Sequence, residues 1–345
     1  MSKYSFLNDY SEGAHPRIID ALTQLNIVQQ QAYGNDDYSS HAKELIKGHL
    51  ENKDAEVFFV SGATQANLII ISSTLRPHES IISSTLGHIT THETGAIEAT
   101  GHKINTIEKD NGKLTKEDII PVLIAHDFGP HVVKPRMIYI SNSTEIGTIY
   151  TKKELKELYE YAHENNLYLF MDGARMGSGL SASNSDLTLA DVARYTDVFT
   201  IGGTKNGALL GEAIVIVNDD LKSDFSFHLK QKGAMLSKGR LLGIQFQELF
   251  KDNLYFELAQ HANNMAMKIS KAILANNHEF LTDSKTNQLF PILPNDLIDS
   301  LEENFIFYRW KKIDGKHTVL RLVTSWATQE EQVDRFITQL SSYSI

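Results

Sequence analysis

Three residues that can take part in covalent chemistry follow apolar runs of this sequence. Lys205 stands in "GGTKNGALLGE", Asp172 begins "DGAR" after a run of its own, and His88 comes shortly after "SIISS". A lysine in an apolar site with other cations nearby has a lowered pKa, so it can act as a nucleophile near neutral pH. An aspartate supplies a fixed negative charge, and a histidine supplies a flat ring.

A glycine turn before a helical run adds a candidate anion site. In "SGATQAN" the free N–H groups at a helix start, together with the helix dipole, favour a phosphate. A pyridine cofactor with a phosphate tail needs such a cradle, a carboxylate for its ring nitrogen, a flat group over its ring and a lysine for a Schiff base. We therefore predict a site for a cofactor of this kind. The candidate phosphate donors are Gly62, Ala63, Thr64 and Gln65, with a hydroxyl from Thr204.

Each of these residues also has an ordinary structural interpretation. A glycine turn is often only a turn, and an aspartate after a strand is often a helix cap. A lysine is usually a solvated surface charge, and a histidine is more often a packed or surface residue than a catalytic one. The chemical interpretation is favoured because all four kinds of group follow predicted strands.

The hydrophobic pattern indicates the scaffold that would position these groups. Short, nearly continuous apolar runs alternate with helix-like stretches, which is typical of an α/β fold with a mostly parallel sheet covered by helices on both faces. Ligands bind at the carboxyl ends of the strands in such folds. The clearest helix prediction is 151–166, where Thr151 and Glu154 form a capping box. The predicted strands are 55–62, 80–84, 102–108, 136–142, 167–174, 197–203 and 212–218.

The pattern changes near residue 246, where a long helix over 252–277 precedes three strand-like runs. A last helix is expected to start near Thr328, with Glu331 completing a second capping box. We therefore predict a smaller C-terminal α+β domain. The predicted division is an N-terminal segment (1–15), a large cofactor-binding domain (16–245) and a small domain (246–345).

Composition excludes several classes of function. The chain has 345 residues, a net charge of -10 and no cysteine. An acidic protein repels nucleic acid, and the lack of cysteine fits a reducing, cytoplasmic location. We see no signal peptide, no apolar run long enough to span a membrane and no metal-ligand spacing, so we expect neither a membrane partner nor a metal.

The order of six motifs resembles the low-specificity L-threonine aldolases. These motifs are "YGNDD", "SGATQAN", "GHITTHETGA", "MDGAR", "GGTKNGALLGE" and "RLVTSW". That family belongs to the fold type I enzymes that depend on pyridoxal 5'-phosphate, in the β-eliminating lyase group. The resemblance implies this cofactor and a fold type I transferase-like architecture. It also implies a lyase that splits L-threonine, L-allo-threonine and other β-hydroxy-α-amino acids into glycine and an aldehyde.

The resemblance implies roles for the strand-end residues. Lys205 would form the Schiff base, Asp172 would pair with the ring nitrogen, and His88 would lie flat on the ring. Arg175 would lie near the cofactor and the substrate carboxylate. Arg321, in "RLVTSW", would bind that carboxylate through its planar fork of donors.

Aldol cleavage also needs a base for the β-hydroxyl proton. Many family members carry a histidine after a strand where this chain has Thr144 in "SNST". "AHDFGPHVVKP" supplies two histidines just upstream. His131 resembles a histidine with this task in one bacterial branch, so we expect it to be the base, with His126 as the alternative.

Other matching positions imply a shared site between chains. Tyr33 resembles a family tyrosine that reaches the site across an interface, and Lys232 or Arg240 would reach a neighbour's phosphate unless that basic stretch is only solvated. Asn8 lies in a segment that borders the site. We therefore expect a homo-oligomer, a dimer or a homotetramer.

Two alternatives remain open at this point. The first is another fold type I enzyme, a β-eliminating lyase or an aminotransferase, because all of these share the lysine, the aspartate and the phosphate cradle. The second is a non-catalytic or nicotinamide-binding doubly wound protein. The second is disfavoured because no GxGxxG follows a first strand.

Overall fold

Strands and helices alternate through most of the chain, as the apolar pattern predicts. The structure is a computed structural model and describes residues 3–343. Its strands are β1 (Tyr4–Ser5), β2 (Glu56–Val60), β3 (Glu79–Ser84), β4 (Ile104–Ile107), β5 (Lys134–Ser141), β6 (Tyr168–Asp172), β7 (Val198–Gly202), β8 (Glu212–Ile216), β9 (Glu279–Phe280), β10 (Gln288–Leu289), β11 (Pro291–Pro294), β12 (Phe305–Ile306), β13 (Tyr308–Lys312) and β14 (His317–Val323).

The helices cover these strands and connect them. They are α1 (Pro16–Gln24), α2 (Asp37–Leu50), α3 (Ala63–Thr74), α4 (His88–Thr91), α5 (Lys116–Ala125), α6 (Lys152–Glu164), α7 (Met176–Leu180), α8 (Leu189–Arg194), α9 (Phe225–Gln231), α10 (Arg240–Phe250), α11 (Leu254–Ala275), α12 (Asn295–Glu302) and α13 (Glu330–Ser342). Within residues 3–343, no helix is both long and apolar enough to cross a bilayer.

A seven-stranded sheet in the order β2-β8-β7-β6-β5-β3-β4 forms the larger layer. Neighbours from β7 to β4 are parallel, so the predicted α/β class with a mostly parallel sheet is confirmed. The exception is β8, which is antiparallel to both β2 and β7. The connection from Gly202 to Glu212 is too short for a crossover helix, so the chain has to reverse direction.

Both faces of this sheet are buried, because successive strand residues point to opposite sides. On β5, Tyr139 and Ile140 belong to two different apolar clusters, and Phe170 and Met171 on β6 do the same. Asp172 comes two residues after Phe170 and therefore lies on the face of Tyr139 and Phe170. This alternation decides which polar residues at the carboxyl edge share one side.

The helix α6 begins as its sequence predicts. Thr151 and Glu154 exchange the two hydrogen bonds of a capping box. The second predicted box is wrong. The cap of α13 is Gln329, with no side-chain hydrogen bond, because the Thr328 hydroxyl instead accepts from the Ser325 N–H at 2.7 Å.

The C-terminal part builds a smaller sheet in the order β10-β14-β11-β9, with β13 also paired to β14. The N-terminal segment joins this part, because β1 pairs with β12 and Phe6 is buried in its core. The boundary expected at residue 245 falls inside α10, whose Phe246 and Leu249 pack in the core of the large sheet. The division into domains stays a prediction.

Candidate active site

A cavity of about 620 Å³ opens at the carboxyl edge of the large sheet, and a smaller space of about 30 Å³ extends from it towards Asp172. The larger volume lies in the range of small-molecule sites. Parallel strands bring their carboxyl ends to one edge, which is why distant parts of the sequence meet here. The residues around the larger cavity include Gly62, Ala63, Thr64, His88, Arg175, Thr204, Lys205 and Arg321 from the sequence prediction.

Asp172 ends β6 and is almost completely buried, with 4% of its surface exposed. Its Oδ2 accepts from the Tyr139 hydroxyl at 2.7 Å, and its Oδ1 accepts from the Ala174 N–H at 2.9 Å. Burial alone would raise the pKa of Asp172, but the Tyr139 hydrogen bond and the nearby His88 outweigh it and hold the pKa below its usual value. The carboxyl group is therefore kept ionised.

A buried amide connects Asp172 to His88. Asn67, on α3, donates to Asp172 Oδ2 at 3.1 Å and to Glu93 Oε1 at 2.7 Å. The same Glu93 oxygen lies 2.8 Å from Nδ1 of His88. This contact fixes the direction of the imidazole ring, which borders the cavity as predicted.

Lys205 lies in the loop between β7 and β8 and borders both cavities. Burial, and then the positive charge of Arg175, lower the pKa of its amine. A nearby carboxyl group, that of Glu212 at the start of β8, is 2% exposed, and its Oε2 has no hydrogen-bond partner within residues 3–343. Burial raises the pKa of Glu212 well above its usual value, and attraction to Lys205 opposes this only partly.

The candidate phosphate cradle is the first turn of α3. Gly62 is the N-cap residue, and no side chain in the described part of the chain caps this helix start. A side chain added at Gly62 would meet nothing within 4 Å, so the approach to these N–H groups is open. The Gln65 side chain turns away and accepts from the Ser61 hydroxyl at 2.8 Å. Thr204 borders the cavity, where its hydroxyl accepts from Gly211 N–H at 3.0 Å.

Two arginines give the cavity a positive wall. Arg175 is held by Asp9 through a two-point ion pair with distances of 2.7 and 2.9 Å. Arg321 projects from β14 and donates through one nitrogen to Gln288 at 2.9 Å, whereas its Nε has no partner within the described residues. Burial, followed by repulsion from Arg175, lowers the pKa of Arg321 to about 10. Arg321 is therefore charged at neutral pH, and it borders the cavity.

The sequence model described as beta-eliminating lyase matches residues 6–310. The chain belongs to the beta-eliminating lyase family. The resemblance described from the motifs and the prediction of a lyase are thereby confirmed.

Relatives of this lyase cover nearly its whole length. It is 32% identical over 335 residues to a low specificity L-threonine aldolase of Pseudomonas sp. (strain NCIMB 10558), an alignment that covers 95% of this chain and 94% of the relative. It is 30% identical over 332 residues to one from Pseudomonas aeruginosa, with the same coverage of 95% and 94%.

Solved structures agree on the fold. A Leishmania major threonine aldolase matches with a TM-score of 0.97 and 48% identity, covering 98% of this chain and 99% of the other. A Thermus thermophilus aspartate aminotransferase matches with a TM-score of 0.72 at 12% identity, covering 99% and 91%, which supports the fold alone.

The structure does not bring the predicted base histidines to the cavity of their own chain. His131 is exposed in a short helical turn before β5, and His126 ends α5, with Nδ1 2.7 Å from the Val122 carbonyl oxygen. Both therefore lie at the amino end of β5, whereas the cavity lies beyond Ser141 at its carboxyl end. The eight-residue strand between these ends spans roughly 25 Å. Within one chain neither histidine reaches the cavity, and the choice of His131 as the base stays a prediction.

Four other predicted residues also lie outside the cavity of their own chain. Asn8 uses its Oδ1 to accept from Tyr10 and Ser11 in its own turn. Tyr33 is 45% exposed and lies beneath the Lys230 ammonium, beside a separate cavity.

The other two are the basic residues expected to reach a phosphate. The Arg240 guanidinium donates to the carbonyl oxygens of Asn26 and Val28, and the carbonyl of Lys232 accepts from Gln65. Within one chain these residues hold loops together, and their predicted contact with a neighbour's phosphate stays a prediction.

Several residues at the site were missed from sequence. Thr144 is buried and bonded to Thr148, and the next residue, Glu145, is the one that borders the cavity. Its place after a strand was a usable signal, whereas Glu212 begins β8 and reaches this edge only because β8 runs antiparallel to β7. Asn67 and Glu93 had no such signal, because their importance comes from contacts between distant segments. Within residues 3–343, no group of three or more acidic or histidine side chains is arranged to hold a metal ion.

Proposed function

We propose that this lyase cleaves L-threonine, L-allo-threonine and other β-hydroxy-α-amino acids into glycine and an aldehyde, with pyridoxal 5'-phosphate as its cofactor. The observation that carries the proposal is that Lys205, Asp172 and Arg321 face connected cavities at one sheet edge. A reactive amine, an ionised carboxylate and a carboxylate receptor are the groups that such a reaction requires.

The residues present fit this cofactor. The uncapped first turn of α3 suits a phosphate, and the buried, ionised Asp172 suits a protonated ring nitrogen. His88 would cover the ring, and Lys205 would hold the cofactor through its amine. When bound, pyridoxal 5'-phosphate supplies an electron sink for the bond that breaks at the α-carbon of the substrate.

The arginines would bind and orient the amino acid. Arg321 borders the cavity and would offer its guanidinium to the substrate carboxylate, while Arg175 adds positive charge but is already held by Asp9. A fixed carboxylate restricts rotation about the Cα bonds, so one bond can be held in the reactive direction. For an aldolase this is the Cα–Cβ bond.

The alternative fold type I activities are tested by their products. The purified protein should develop a visible absorbance band when pyridoxal 5'-phosphate is added, and then release acetaldehyde from L-allo-threonine. Formation of a 2-oxo acid in place of the aldehyde would contradict cleavage and indicate elimination or transamination. Absence of the band would contradict the cofactor.

The assembly is part of the proposal. Tyr33 and the basic residues Lys232 and Arg240 lie away from the cavity of their own chain, as expected of groups that serve a neighbouring site in a dimer or tetramer. Light scattering of the purified protein tests this, because a monomer would contradict it. The cytoplasmic location stays a prediction.

A further inference from the structure

Within one chain, the predicted residues leave the role of base for the β-hydroxyl proton unfilled, because His131 lies beyond the far end of β5. Glu145 is a candidate on different grounds. It follows Ser141, the last residue of β5, in the loop at the carboxyl edge of the sheet, and it borders both the main cavity and its extension towards Asp172. A carboxylate at this place faces the space in which the substrate would lie.

The carboxylate of Glu145 is held by one oxygen only. Its Oε1 accepts from the backbone N–H of His88 at 3.0 Å and from the Ser141 hydroxyl at 2.8 Å. Its Oε2 has no protein hydrogen-bond partner in the part of the chain that the structure describes. This oxygen is also not fully buried. Two hydrogen bonds therefore fix the side chain and leave the second oxygen open to the cavity.

We propose that Glu145 Oε2 is the base that takes the β-hydroxyl proton of the substrate. This inference rests on the proposed function. Burial raises the pKa of Glu145, and the hydrogen bonds from Ser141 and His88 only partly oppose the rise. A carboxylate with a raised pKa is a stronger base, and above that pKa it is still ionised.

The step balances in protons and electrons. The hydroxyl proton passes to Glu145, and the O–H electron pair becomes the second bond of the aldehyde C=O. The Cα–Cβ bond breaks, and its electron pair remains with the α-carbon. One proton then returns to the α-carbon to give glycine, so the reaction consumes and releases no net proton.

Other titratable groups at the cavity fit this role less well. The unpartnered Oε2 of Glu212 is buried and inaccessible to solvent, and its carboxyl group is close enough to Lys205 to interact with the charge of that amine. His88 already contacts Glu93 through Nδ1 and is assigned to cover the cofactor ring. Burial lowers the pKa of His92, with further lowering by His88 and Arg321, so its imidazole is a weaker base than an ordinary histidine.

The test uses Glu145→Gln in the enzyme loaded with pyridoxal 5'-phosphate. Glutamine keeps the Oε1 acceptor for His88 and Ser141 but cannot accept the proton as a carboxylate does. Three properties are measured: cofactor affinity from the absorbance band, aldehyde release from L-allo-threonine, and exchange of the glycine α-hydrogen in D₂O. The exchange needs the cofactor and Lys205 but involves no β-hydroxyl. Glu160→Gln, an exposed carboxylate on α6, is the matched control.

Aldehyde release by Glu145→Gln should fall by about 10²–10⁴-fold, while cofactor affinity and glycine exchange stay within about threefold of wild type. Retained aldehyde release would overturn the inference, as would an equal loss of release and exchange. Loss of release in His131→Gln but not in Glu145→Gln would also overturn it.

A wild-type enzyme that exchanges glycine but releases no aldehyde would overturn the proposed function as well, and this outcome is distinct from a failure of the variant alone. If Glu145→Gln does not fold, Glu145→Asp decides the question. It keeps the charge but withdraws it from the cavity, so release should fall while exchange continues, and unchanged release would overturn the inference.

Discussion

Asp9 and Arg175 meet in a buried two-point ion pair, with Nε to Oδ2 at 2.7 Å and Nη2 to Oδ1 at 2.9 Å. The side-chain amide of Asn287, next to β10, also donates to Asp9 Oδ2 at 2.9 Å. Asp9 therefore links the N-terminal segment, the loop after β6 and the smaller sheet in one contact. Burial would raise the pKa of Asp9, but the positive charges of Arg175 and Lys205 outweigh it and lower the pKa.

Asp9→Asn should destabilise the protein by about 3–5 kcal/mol, because it leaves a buried guanidinium without its counter-charge. Urea unfolding of the cofactor-free protein measures this. Asp252→Asn breaks an exposed pair with Arg17 and should cost no more than about 1 kcal/mol. Equal losses in the two variants would contradict the importance of the buried pair.

The same aspartate predicts a pH dependence. Its pKa in the folded protein is lower than in the unfolded chain, so its contribution to stability is present above the unfolded value of about 3.9 and is lost as the pH falls through the folded value. The stability difference between wild type and Asp9→Asn should therefore shrink on acidification. Thermal unfolding at several pH values measures it, and a constant difference would contradict the assigned charge.

Lys205→Ala should abolish the visible band of the bound cofactor and lower aldehyde release by at least about 10³-fold, or roughly 4 kcal/mol of activation free energy. The reason is that Lys205 borders both cavities, where burial lowers the pKa of its amine. Absorbance and a coupled aldehyde assay measure the two effects. Lys251→Ala, at an exposed lysine, is the control. Turnover retained by Lys205→Ala would contradict the central assignment.

Arg321→Lys should raise KM for the amino acid by about 10–100-fold, the cost of one strong hydrogen bond to a charged group, with a smaller effect on kcat. Lysine keeps the charge but lacks the planar fork. Steady-state kinetics separate the two constants. Arg309→Lys, on neighbouring β13, changes an arginine that pairs with Glu302 and should leave KM unchanged. An unchanged KM in Arg321→Lys would remove this residue from substrate binding.

Much of the scaffold could be predicted because the sequence pattern is local. The alternation of apolar runs and helices places Asp172 and Lys205 at strand ends, and the capping box of α6 is a short-range signal. Strand direction is not local. An apolar run such as β8 reads the same in either direction, so its antiparallel pairing depends on the length of the connection before it.

The placement of site residues from sequence meets a similar physical limit. His131 is close in sequence to the residues after β5, but an extended strand carries those residues to the opposite edge. Asn8 and Asp9 are neighbours in sequence, and only packing against Arg175 decides which of them matters. Hydrogen-bond partners far apart in sequence, such as Asn67 and Asp172, cannot be found from spacing.

Tyr139→Phe should destabilise the protein by about 1.5–3 kcal/mol at neutral pH, because its hydroxyl donates at 2.7 Å to the ionised Asp172. The pKa of Asp172 is lowered in the folded state, so the stability it contributes is present above the unfolded pKa and is lost as the pH falls through the folded one. The cost of Tyr139→Phe should therefore shrink in acid.

Tyr150→Phe is the matched control, because its buried hydroxyl accepts from the uncharged Leu114 N–H at 2.7 Å. Its cost should not change over the same pH range. Urea unfolding of both variants decides the matter: equal pH dependence would mean that Tyr139 does not act on the charge of Asp172.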